Sequence, residues 1–256
     1  TLFKILIISR FYSPSSELRI AEHIYEHSAM EDFFGIPAKD LYVQKLYRSL
    51  DHLLLCKDEL QLYLKQRLGT LFKIKYDLFL YDVTSTYFEG DHENSDLCKR
   101  GYSRDKRSDC KQICIGLVVT QHGLPLGYEI FSGNTHDSKT VEGIVAGMEE
   151  KYGSAQRIWV MDRGMVSEKN LQLLRTSNRR YIIGAPKSSL IKAEHYLLEK
   201  DWQVVYEGVE VKTCPSSDCE DELFILCKSR DRAFKERSIH DKFIKRIDTG
   251  IEKIRK

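Results

Sequence analysis

Between Tyr76 and Ala185 the spacing of apolar residues alternates between an extended and a helical period, which constrains the fold more than any other feature. Leu78-Phe79-Leu80-Tyr81 is a short apolar run followed by Asp82, after which Val83 and Ser85 alternate with Thr84 and Thr86. This predicts a buried strand carrying Asp82 near its C-terminal end. Residues 112–119 and 126–131 predict two more strands, joined by Gln121-His122-Gly123-Leu124-Pro125, a hairpin-like link. A turn at 133–137 leads into a predicted helix over 138–151, with Val141, Ile144, Val145 and Met148 on one face. Residues 157–161 are a fourth strand closed by Asp162. Gly164 turns the chain, Ser167 caps a helix holding Leu171 and Leu174, and residues 180–185 form a fifth strand. The order βββαβαβ implies an α/β fold, a meander extended into a mixed sheet with helices on its faces.

The flanks differ. Residues 1–75 carry leucines at three- and four-residue steps, and Ser15 or Ser16 is placed to cap a helix. Residues 191–200 suit a short helix, 202–213 and 223–227 have strand character, and the last thirty residues are helical with a thin apolar stripe. The expected division is a helical N-terminal region (1–75), the α/β core (76–190), a β-rich segment (191–227) and a basic helical tail (228–256). The net charge of +2 conceals segregation: residues 228–256 carry eleven Lys/Arg against five Asp/Glu, and 99–111 carry six against two. A polyanion partner and a solvated helical face both fit such clusters. The longest apolar stretches run four to six residues, whereas a membrane span needs roughly 18. No secretory signal is visible, and the seven scattered cysteines fit buried thiols in a reducing compartment, with no zinc-knuckle spacing. The chain begins at Thr1, which suggests a piece of a longer protein.

Asp82 and Asp162 each follow a short apolar strand. Ligands in open sheets sit at the carboxyl ends of parallel strands. If the first and fourth strands are neighbours, two carboxylates stand side by side and repel unless protonated or bridged by a cation. Magnesium, a hard ion preferring oxygen, resolves that repulsion, and a pair of such ions can clamp a phosphodiester during in-line displacement. The alternative is that each aspartate is only a turn former or helix cap.

Five segments then carry a resemblance: residues 81–89 (YDVTSTYFE), 100–105 (RGYSRD), 123–129 (GLPLGYE), 133–140 (GNTHDSKT) and 162–167 (DRGMVS). They resemble prokaryotic insertion-sequence DDE transposases, more narrowly the IS-four-like superfamily, over about Ser15 to Lys192 and in family order. The resemblance implies an RNase H-like catalytic domain and cut-and-paste transposition, in which activated water hydrolyses a strand at the element's end and the freed 3′-hydroxyl attacks target DNA. It implies Asp82 and Asp162 as catalytic, metal-binding residues, two Mg²⁺ ions with Mn²⁺ as a substitute, element-end and target DNA as partners, a homodimer on DNA, and a prokaryotic cytoplasmic, nucleoid-associated location. The family's third acid is a glutamate on a helix beyond a β-rich insertion after the fifth strand. Here residues 202–227 resemble the start of that insertion, and the chain departs by stopping at Lys256 before such a helix, as a truncated domain would. Whether this chain is by itself an enzyme is therefore left open by the resemblance.

Beside that reading stand a non-enzymatic DNA-binding remnant and a self-contained nuclease drawing its last acid from Glu194 or Glu199. Lys99, Arg100, Arg104, Lys106 and Arg107, on the loop after the first strand, are the candidate DNA-phosphate contacts. Tyr87, Phe88 and Tyr102 suit core packing better than base stacking. Asp137 suits a helix N-cap and His136 polar surface. Thr84 and Thr86 support Asp82 or simply favour the strand, and Arg163 suits either a phosphate or a carboxylate.

Overall fold

The computed structural model describes residues 1–74, 76–153, 157–176 and 178–255. The expected boundary at Lys75 and the last tail residue, Lys256, lie outside the described residues. The chain forms two compact units, Thr1–Ile183 and Gly184–Lys256.

The first unit begins with helices. Helix α1 spans Leu2–Tyr12 and α2 Glu17–Arg19, where the Ser16 hydroxyl accepts from the Arg19 N–H at 3.3 Å, one of the two expected caps. A π-helical turn over Ile20–Ile24, α3 (Met30–Phe34), α4 (Val43–Leu55) and α5 (Lys57–Phe72) follow. Ile5, Leu6, Ile20, Tyr25, Met30, Leu41 and Leu46 form a core of their own. Helix α5 joins this layer to the sheet described next: Lys57 pairs with Glu129, and Asp58 with Lys151.

Strands β1 (Leu78–Phe88), β2 (Lys111–Val119), β3 (Pro125–Ser132), β4 (Ile158–Met161) and β5 (Arg180–Ile183) form one sheet in the order β3-β2-β1-β4-β5. The first three pair antiparallel; β4 and β5 are parallel to β1. Helices α6 (Val141–Tyr152) and α7 (Glu168–Thr176) supply the intervening connections, and the Ser167 hydroxyl accepts from the Asn170 N–H at 3.2 Å as the expected cap. The fold is the RNase H-like mixed α/β sheet that the strand order and the resemblance implied. Its core joins Phe79, Tyr81, Val83 and Trp159 to Val141, Ile144, Val145 and Met148 on α6 and Leu174 on α7. At roughly 1.5–3 kcal/mol for each large side chain fully buried, this cluster is the main source of the sheet's stability.

In the second unit, a 3-10 stretch (Lys187–Ala193) and α8 (Glu194–Leu197) precede an antiparallel sheet of β6 (Gln203–Tyr206), β7 (Val209–Pro215) and β8 (Leu223–Ser229). Ala193, Cys214 and Leu226 form its small core. Helix α9 spans Arg230–Arg255. No helix among the described residues is long and apolar enough to cross a membrane. The cysteines are all free but only partly buried: Cys98, Cys114 and Cys214 are buried, whereas Cys56 and Cys227 are exposed, which corrects the uniformly buried expectation. Cys56 joins two helices and Cys227 sits on the outward side of β8, positions where local pattern gives no inward direction.

Candidate active site

The β1–β4 ladder runs through Leu78–Ile158, Phe79–Trp159, Leu80–Val160 and Tyr81–Met161. The next residue on each strand is an aspartate, so Asp82 and Asp162 stand at one level on neighbouring parallel strands, whose backbones in such a sheet lie roughly 4.8 Å apart. Beyond this level the strands part. β4 stops, and Asp162 opens a 3-10 turn over Arg163–Met165. β1 continues, with Asp82 opposite Leu117 of β2. Asp82 is thus the fifth of eleven strand residues rather than a terminal one. Its position at an end is real only for the parallel ladder; the antiparallel ladder extends through Thr84 and Thr86, good strand formers.

Strand alternation sends Phe79, Tyr81 and Val83 into the core and leaves Asp82, Thr84 and Thr86 on the exposed face. Asp82 Oδ1 accepts from the Val83 N–H at 2.8 Å, and the Asp162 side chain makes no capping bond. Among the described residues neither carboxylate has a Lys or Arg partner. Two exposed carboxylates on adjacent strands, without a described cationic partner, are hard-oxygen donors of the kind that divalent cations take. No group of three metal-ligating side chains occurs among the described residues.

One side of this edge is built by the 133–140 segment. Its 3-10 turn, Asp137–Lys139, packs on the turn after Asp162. The Asn170 amide stitches the two, donating to Ser138 O and Met165 O at 2.7 Å each. A methyl group on Gly164 would lie 3.1 Å from Asp137 Oδ2. That oxygen accepts from Arg104 Nη2 at 2.7 Å. Asp137 is therefore not a helix cap, since His136 takes the N-cap place, exposed as expected. Thr140 Oγ1 donates to Asp137 O and accepts from the Tyr81 hydroxyl, both at 2.6 Å. This ties the residue before Asp82 to the same loop. Burial raises the Tyr81 phenol far above its usual range, so it stays a donor at neutral pH.

The loop from β1 to β2 is anchored from below. Buried Gln112 donates through Nε2 to Tyr102 O at 3.1 Å and Gly133 O at 2.8 Å, and Lys99 and Gln112 exchange backbone bonds. A Cβ on Gly133 would lie 1.9 Å from Gln112 O, and one on Gly101 would lie 2.1 Å from Gly133 O. Three backbones thus converge where only hydrogen fits.

On that loop Lys99, Arg100 and Lys106 are exposed and have no carboxylate partner among the described residues. Arg104 and Arg107 differ. Arg104 holds Asp137, and Arg107 is forked onto Asp109 and Glu89 while stacking on Tyr87 with 4.9 Å to the ring centroid. Phe88 packs on His92, but Tyr102 is 86% exposed, against the core role expected for it. Arg163 is exposed beside Asp162. Within the second unit Glu199 and Asp201 both accept from the ammonium of Lys212, whose side chain is buried, while Glu194 is exposed at the start of α8. Sequence reasoning missed the Arg104–Asp137 pair and Asn170. The only signal was an Asn inside a predicted helix, a place it takes when its side chain has other work.

Residues 73–246 match the family model described as the transposase DDE domain. Among solved structures the chain is similar to the piggyBac transposase in a cryo-EM synaptic complex with hairpin DNA, at 11% identity and TM-score 0.43 over 90% of this chain and 51% of that one. It is also similar to the Mos1 transposase in a paired-end complex with the left transposon end, at 11% identity and TM-score 0.31 over 81% and 68% of the two chains. The chain thus spans about half the length of the piggyBac chain. No curated protein matches it in sequence.

Proposed function

This chain belongs to the transposase DDE domain family, and from that premise we propose that it is the catalytic part of a DNA transposase, cleaving and joining DNA strands. The observation that carries this is the level placement of Asp82 and Asp162 on adjacent parallel strands, exposed and unpaired by any described cation. Asp82 and Asp162 would hold a divalent ion, Mg²⁺ with Mn²⁺ as a substitute. When bound, it supplies charge neutralisation at the phosphoryl oxygens. A second ion belongs to the proposal only with donors beyond these two carboxylates, since hard cations take about six oxygens.

The chain's own groups have separable tasks. Asp82 is fixed by the Val83 N–H, and Asp162 by the turn that Asn170 holds. Lys99, Arg100 and Lys106 are the loop cations available to DNA phosphates, and exposed Tyr102 is available to stack on a base. Arg104 and Arg107 belong to the same candidate DNA-contacting loop and also shape it through their carboxylate partners. The proposal includes DNA ends and target DNA as partners, a homodimer joining two ends, action in a prokaryotic cytoplasm at the nucleoid, and the division 1–75, 76–190, 191–227 and 228–256 as functional parts. The nuclease alternative loses support at Glu199, whose carboxylate is taken by Lys212.

Nicking of supercoiled plasmid by the 256-residue chain with Mg²⁺ tests this reading. The expected result is nicking abolished by Asp82→Asn and by Asp162→Asn; nicking that survives either change defeats it.

A further inference from the structure

Helix α9 is exposed along its whole described length, Gly250 alone being half-buried. At 3.6 residues per turn four of its cations fall on one line, while Arg237, Lys245 and Glu236 lie off it. Lys235, Lys242, Arg246 and Lys253, spaced seven, four and seven residues apart, fall within about 40° of one another. Asp241, Asp248 and Glu252 lie about a third of the circumference away, and Phe243, Ile247, Ile251 and Ile254 about a third away on the other side. None of the four cations has a carboxylate partner among the described residues, and Lys242, Lys245, Arg246 and Lys253 line one shallow trough with Thr249 and Gly250.

We propose that this basic stripe is a second docking surface for DNA, read through its phosphates. The proposal rests on the reading that the chain acts on DNA. Its length selects a polymer: from Lys235 to Lys253 the row spans about 27 Å at 1.5 Å per residue, so a small anion meets one or two cations and an extended polyanion meets all four. DNA carries one charge per roughly 1.7 Å of duplex axis, dense enough to serve every position. A bilayer suits the arrangement less well. With the apolar stripe on lipid, the basic and acidic stripes flank it equally and oppose each other at anionic headgroups; with the basic stripe on a polyanion, the cations lead.

Binding of the full chain to a 30-bp duplex, followed by fluorescence anisotropy between 50 and 200 mM KCl, tests this against the variant Lys235→Gln/Lys242→Gln/Arg246→Gln/Lys253→Gln. Glutamine is a good helix former, and circular dichroism checks that helix content holds. The expected result is weaker binding, with a log K against log salt slope shallower by roughly 0.9 per lost contact, about 3–4 in all. A variant that keeps the parent's affinity and slope, while Lys99→Gln/Arg100→Gln/Lys106→Gln binds more weakly, overturns the α9 surface and leaves the DNA reading standing. A parent chain that binds no duplex at any salt overturns both. Sedimentation of the parent, but not the variant, with phosphatidylserine vesicles, without a difference on DNA, assigns the stripe to lipid and overturns the proposal.

Discussion

Arg104 and Asp137, 33 residues apart, are joined by a 2.7 Å bond from Nη2 to Oδ2, and that same oxygen lies against Gly164, two residues beyond Asp162. A residue expected to grip DNA also holds the loop bordering the carboxylate pair. The pair is about one-third exposed on each side, so its contribution to stability is about 1 kcal/mol or less. Arg104→Ala is expected to shift Tm by only a few degrees while lowering Mg²⁺-dependent nicking about tenfold or more through lost positioning. Paired thermal melts and nicking rates check it; a loss in stability without a loss in rate contradicts it.

Gly133→Ala is expected to unfold the chain or cost several kcal/mol, because its Cβ would meet the Gln112 carbonyl at 1.9 Å. Gly147→Ala, inside α6 with nothing within 4 Å of the new Cβ, is expected to stabilise by about 0.5–1 kcal/mol. Urea unfolding of both variants distinguishes them.

The Glu149 carboxylate receives Arg179 Nε at 2.6 Å and Nη2 at 2.8 Å, and this hydrogen bonding holds it below its ordinary range. A depressed carboxylate contributes stability above its unfolded pKa of roughly 4.3 and loses it as pH falls through the folded value. Glu149→Gln is therefore expected to be less stable than the parent at pH 7, by roughly 1.5–3 kcal/mol for a charge-assisted pair. The gap should narrow as pH falls below the unfolded value of roughly 4.3; melts across pH 3–7 measure it, and a constant gap contradicts the assignment.

Glu199→Gln is expected to weaken the second unit by leaving buried Lys212 with Asp201 alone, without changing Mn²⁺ affinity. Thermal melts read the first and electron paramagnetic resonance the second. Loss of Mn²⁺ binding would revive the nuclease alternative.

The sheet was legible because its central strands are short continuous apolar runs, Leu78–Tyr81 and Ile158–Met161, while its helices repeat at three- and four-residue steps behind a cap such as Ser167. The level placement of Asp82 and Asp162 followed from strand order, but the mid-strand position of Asp82 did not, because one ladder ends there while another continues. The carboxylate partners of Arg104 and Arg107 were illegible for a different reason. A basic loop residue looks alike whether its partner is a phosphate or an acid brought close by folding, and here Asp137, Glu89 and Asp109 are brought close. Tyr102 was misread because the Gln112 anchor takes only its backbone carbonyl and leaves the ring outside.

If Asp82 and Asp162 share one cation, anomalous diffraction from crystals of the chain soaked in Mn²⁺ will locate it. The expected peak is touched by carboxylate oxygens of both residues and is lost in Asp162→Asn; a peak on one aspartate alone, or Mn²⁺ bound elsewhere with this edge bare, overturns the shared site.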